Sequence, residues 1–190
     1  MNQNLRWKIL AALSASLIIL STQFQIIIFG MIPFTLQTIA IQLSAFSLPR
    51  PYGILSILLY LILGLIGFPV FSKGGSGIGH LFGPTGGFLY GFLIATIFIQ
   101  IFRPWFLKSR YNLLFGIFIH TFILFLFGEI HLSYVLDKPL YHIFSTVMVS
   151  FYPAAIFKSI IALLAIETFL KAILRKSLDS QLQNIYLNKV

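Results

Sequence analysis

The sequence predicts an all-α integral membrane protein: a single bundle of about six transmembrane helices with both termini in the cytoplasm. Three observations predict it. Apolar residues make up 58% of the 190-residue chain and charged residues only 9%, against roughly 45–50% and about 25% in soluble domains. Six apolar segments alternate with breaks rich in proline, glycine or basic residues. The basic residues fall unevenly on the two sides of those segments. A chain of this length holds about six spans of ~20 residues and no sizeable soluble domain.

The first segment covers about Lys8 to Phe29. Arg6 and Lys8 precede or open it, as in a signal peptide, but its apolar run is long and no small-residue cleavage pattern follows. It is expected to be a retained helix. The second, shorter segment runs from Pro33 to Leu48 and the third from Tyr52 to Phe68. A fourth extends from Thr85 to Phe102, and a fifth from Tyr111 to about Leu136. The sixth begins between His142 and Pro153 and ends near Leu174, leaving residues 175–190 as a short polar cytoplasmic tail. Pro33, Pro49, Pro51, Pro69, Pro84, Pro104 and Pro139 mark the breaks, because proline lacks an N–H and disfavours continued helix.

Orientation follows from charge. Arg6, Lys8, Arg50, Arg103, Lys108, Arg110, Lys171, Arg175, Lys176 and Lys189 share one side if both ends are cytoplasmic. The other side receives only Lys73 and Lys138. Cytoplasmic loops carry the excess of Lys and Arg. The net charge of +9 therefore reads as topology and lipid-headgroup contact, not as a nucleic-acid surface. There are no cysteines, hence no disulfides and no thiolate metal site.

Lys158 interrupts the sixth segment. A cation in hydrocarbon costs roughly 2.5–3.5 kcal/mol on insertion scales, so it faces protein, water or ligand, or snorkels to the headgroups. It lies 14 residues before Ala172, or ~21 Å at the helical rise, which puts it in the outer part of the membrane. Ala154, Ala162 and Ala165 share its stripe and leave room beside the ammonium. The loop Lys73-Gly-Gly-Ser-Gly-Ile-Gly-His80 lies at the same level. It reads either as an open outer loop or as a capping loop that offers amides, Ser76 and His80 to a ligand. It matches neither a dinucleotide fingerprint nor a nucleotide P-loop, and Ser76 is not in a nucleophile elbow. Gly87 and Gly91 form a small-residue pair suited to helix packing. Glu167 is expected to pair locally with Lys171. Glu129 and His131 stand near the outer end of the fifth segment, where solvation is the ordinary reading. His80, His120, His131 and His142 lack metal-ligand spacing, and no nucleophile–base pair points to an enzyme.

The motifs together resemble the BioY family, the biotin-binding S components of energy-coupling-factor vitamin transporters. The resemblance runs through Ile32-Pro-Phe-Thr-Leu-Gln-Thr38, Leu63-Gly-Leu-Ile-Gly-Phe-Pro-Val-Phe71, Gly74-Gly-Ser-Gly77 and Gly83-Pro-Thr-Gly-Gly-Phe-Leu-Tyr-Gly-Phe92, and resumes at Tyr152-Pro-Ala-Ala-Ile-Phe-Lys158. It implies a biotin-uptake subunit of the plasma membrane that is not an enzyme and has no cofactor, biotin being its transported ligand. Its partners would be membrane lipids, a transmembrane coupling subunit and ATPases. The implied substrate contacts are Gln37, Gly75, Ser76, Gly77, His80, Tyr152, Ala155 and Lys158. Ala155 stands where the family carries an acidic residue and Ala154 where it carries glycine. An S component for another small vitamin-like molecule is the alternative reading, and a small membrane enzyme a more distant one. Ala11 and Ala15, one turn apart on the first helix, resemble the family's docking pair for the coupling subunit.

Overall fold

The computed structural model describes residues 2–26, 34–145 and 149–187. Helix α1 spans Gln3–Gln23 and is opened by Asn2, whose side-chain oxygen accepts the Asn4 N–H at 3.1 Å. It therefore begins before Lys8 and ends well short of Phe29, which lies outside the described residues. A two-residue antiparallel ladder follows, β1 (Gln25–Ile26) with β2 (Phe34–Thr35). Two residues are too few for strand alternation to show in the sequence. Pro33, the expected start of the second helix, is also outside the described residues. Helix α2 begins at Gln37 and ends at Ser47, and α3 covers Tyr52–Leu65. A 3₁₀ turn at Ser72–Gly74 and a short helix α4 (Gly79–Phe82) fill the glycine-rich region.

Helix α5 (Gly86–Phe106) continues through Pro104, where a break was expected. Proline there forfeits the bond its N–H would make to the Gln100 carbonyl, a single ladder bond with only two helical residues left to follow. Helix α6 (Arg110–Leu136) is capped by Ser109, which accepts the Asn112 N–H at 3.1 Å. After α7 (Leu140–Ile143), helix α8 runs from Val149 to Leu187. It carries Pro153 in its opening stretch and extends as helix through most of the expected polar tail.

Helices α1, α5 and α6 are long and apolar enough to cross a membrane. With 11 and 14 residues, α2 and α3 are shorter than a full span of ~20 residues. Backbone that is irregular at membrane depth must be satisfied by protein, and α5 does this for α2. The Gln100 amide donates to the carbonyls of Ala45 and Leu48, the latter at 3.0 Å. The Arg103 guanidinium donates to those of Phe46 and Ser47, at 2.7 and 3.1 Å. The last carbonyls of a short, buried helix are thus capped by its neighbour.

Gly87 and Gly91 account for the close approach of α5 to α6. A Cβ at Gly87 would lie 2.5 Å from the Phe127 carbonyl oxygen, and one at Gly91 2.9 Å from that of Leu124. Glu167 pairs not with Lys171 but with Arg110, at 2.9 Å. The start of α6 comes against α8 there, and the guanidinium offers a planar fork to the carboxylate. Ala11 and Ala15 are 0% and 3% exposed, on the side of α1 turned into the bundle. The face expected to dock a coupling subunit is therefore occupied by the protein's own helices. The exposed face of α1 carries Leu5, Ile9, Leu13, Leu17 and Leu20.

Candidate functional site

Each wall of the site follows from a local feature of the chain. Between α3 and α5 the glycine-rich region folds into a hydrogen-bonded cap. Phe71 N–H donates to the Gly75 carbonyl at 2.9 Å, and Gly77 N–H donates to the Gly64 carbonyl at 2.7 Å. Gly77 sits at φ +81, which a side-chain-bearing residue adopts only with strain. The aromatic ring of Phe71, fully buried, stacks on His80 with centroids 5.2 Å apart. Gly75 lies so close to the His80 imidazole that a Cβ would fall 2.3 Å from it. Nε2 of His80 is hydrogen-bonded to the Thr85 hydroxyl at 3.1 Å. Burial holds the imidazole below its usual range, so the ring is neutral at neutral pH. From α6, the His131 ring N–H donates to the Gly83 carbonyl at 3.0 Å and ties the cap to the bundle.

Under this cap lies a cavity enclosing about 580 Å³ of empty space, part of it open to solvent. Its polar rim is Thr35, Gln37, Thr38, Ser72, His80 and Thr85. Apolar walls come from α5 (Phe88, Leu89, Phe92), α6 (Leu124, Phe125) and α8 (Phe151). Lys158 also lines it and is 9% exposed, so the side chain faces inward and does not snorkel. Gln37 is buried and donates to the Tyr60 hydroxyl at 2.9 Å, which fixes the entry of α2 beside the cavity. A small ligand site of this kind combines apolar walls with a few placed polar groups.

Of the residues singled out from sequence, the structure brings Gln37, His80 and Lys158 to one cavity. Gly75 and Gly77 shape the cap through their backbones. Ser76 is exposed and does not line the cavity; Ser72 does. The loop has no period, and its turns at Gly74 and Gly77 decide which hydroxyl points inward. Ala155 lines the adjoining cavities instead. The side chain of Tyr152 lies outside those described. Sequence reasoning missed Thr35, Thr38, Ser72, Thr85 and the aromatic walls. Helical spacing held a signal for some of them: Phe88 and Phe92 are one turn apart, and Phe151 lies two turns before Lys158.

Comparison with known proteins agrees with this architecture. The model of the BioY family matches residues 1–175. A biotin transporter BioY2 of Lactococcus lactis is 50% identical over 91 residues, covering 48% of this chain and 50% of that protein. The biotin transporter BioY of Thermotoga maritima is 43% identical over 72 residues, covering 38% and 43%. The chain spans about half the length of these curated relatives. The crystal structure of the S-component for biotin from an ECF-type ABC transporter superposes with a TM-score of 0.80. That likeness covers 90% of this chain and 95% of the other at 24% identity, and it shows the fold.

Proposed function

This chain belongs to the BioY family, and from that premise we propose that it captures biotin as the substrate-binding membrane subunit of an energy-coupling-factor transporter. The observation that carries the reading is a buried lysine at a cavity with aromatic walls and a polar rim beneath a hydrogen-bonded cap. Biotin bears one carboxylate, an apolar bicycle with a flexible chain, and a neutral ureido group. Lys158 pairs with the carboxylate, a charge-assisted contact that gains strength away from water. Phe88, Phe92, Phe125 and Phe151 enclose the apolar body. The chain carries no nucleotide-binding motif, so energy comes from partner ATPases through a coupling subunit, or the protein works as a facilitator without them. With Ala11 and Ala15 buried, that subunit docks on another surface.

Equilibrium binding of labelled biotin to the purified protein, with a panel of other water-soluble vitamins as competitors, tests the proposal. Saturable biotin binding that the other vitamins do not displace is expected. No biotin binding together with clear binding of another vitamin would replace biotin with that ligand.

A further inference from the structure

Between α6 and α8 the surface carries a groove of about 820 Å³, part of it open to the surroundings. Phe118, Phe122 and Leu126 follow one another at helical spacing on α6 and form one wall, and Ile156 of α8 contributes the other. All four are exposed. The floor is low because its residues are small: Thr121 on α6, with Ala155 and Ser159 one turn apart on α8. The floor hydroxyls already serve the backbone. Ser159 donates to the Ala155 carbonyl at 2.8 Å, and Thr121 to that of Ile117 at 3.0 Å. The groove therefore offers an apolar surface along its length. Its chemistry changes at one end, where Glu129 lines it. The sequence reads Glu129 as a solvated group, yet it is only 8% exposed. Among the described residues no basic group pairs with it.

The dimensions are those of one leaflet. Phe118 lies 11 residues before Glu129 on α6, ~16 Å at the helical rise, and half of a ~30 Å hydrocarbon core is about 15 Å. Glu129 stands 19 residues after Arg110, ~28 Å along the helix. With Arg110 at one boundary of the core, the Glu129 carboxyl reaches the other boundary, and Phe118 lies near the bilayer middle. The groove thus runs from mid-membrane to headgroup level and ends on an acid. We propose that it binds one acyl chain of a phospholipid, and that Glu129 accepts an N–H from an ammonium headgroup such as that of phosphatidylethanolamine. A charge-assisted hydrogen bond of this kind is stronger than a neutral one. A choline headgroup has no N–H to give, and an anionic phosphoglycerol is repelled by the carboxylate. On the orientation that the basic residues predict, the lipid belongs to the outer leaflet. The inference does not depend on which ligand occupies the cavity under the cap.

The test is native mass spectrometry of the full chain, reconstituted in vesicles of equal parts phosphatidylethanolamine, phosphatidylglycerol and phosphatidylcholine and then released in mild detergent. Wild type should retain one phosphatidylethanolamine about tenfold over either other lipid. Glu129→Gln, which keeps the shape and removes the charge, should still hold a lipid but lose that preference. Phe122→Ala removes an exposed wall and should lower retention of all three lipids. Wild type without the preference overturns the inference, and so does a Glu129→Gln variant that keeps it. Should Glu129→Gln not fold, Phe122→Ala decides, because undiminished lipid retention there also overturns the inference. The native chain has no cysteine, so Phe122→Cys tests the rival occupant. Disulfide-linked dimers forming in the membrane would give the groove to a second copy of the chain and overturn the lipid reading.

Discussion

At the scale of the residue, Lys158 was legible because a cation inside an apolar run demands a reason. It is buried beside aromatic walls and lines the cavity under the cap. Lys158→Ala should weaken biotin binding by roughly 1.5–3 kcal/mol, the range for a hydrogen bond to a charged group, measured by isothermal calorimetry. Lys158→Met should lose similar affinity while keeping the packing of the stem. Unchanged affinity in a folded variant would remove Lys158 from the site. The other contacts were less legible, each for its own reason. Phe151 is one of 21 phenylalanines in an apolar chain, so its type carries no signal and only its spacing to Lys158 does. Ser72 and Ser76 flank the same glycines, and only the folded backbone chooses between them.

At the scale of the element, the long apolar helices were readable in number and order, while their ends were not. Pro104 marked a boundary that the helix passes by two residues, at the loss of one ladder bond. The early end of α2 is explained by contacts distant in sequence, which no local pattern reports. Gln100 and Arg103 on α5 satisfy the C-terminal carbonyls of α2. Gln100→Leu should therefore orphan buried carbonyls and destabilise the protein by about 1–3 kcal/mol. The check is the thermal unfolding midpoint in detergent, which should fall while the biotin stoichiometry of the folded fraction holds. An unchanged midpoint would mean that these carbonyls find other donors. Arg103→Lys should not compensate fully, because one ammonium cannot reproduce a planar fork reaching two carbonyls.

At the scale of the whole molecule, the basic residues predict cytoplasmic termini, and the native chain's lack of cysteine makes this easy to test. A single cysteine at exposed Ser76 should react with a membrane-impermeant maleimide from outside intact cells, and one at Ser109 should not. The reverse pattern would invert the bundle. The architecture was readable because apolar length and charge asymmetry are global properties. The cavity under the cap was not, since it arises where the cap and several helices distant in sequence meet. One feature of the cap reaches beyond geometry. Its backbone is held together by the Gly77–Gly64 and Phe71–Gly75 hydrogen bonds. Ligand entry then need not order a loop, so little conformational entropy is lost on association. Selectivity among ligands is then expected mainly in how long each one stays, since related complexes differ chiefly in dissociation rate.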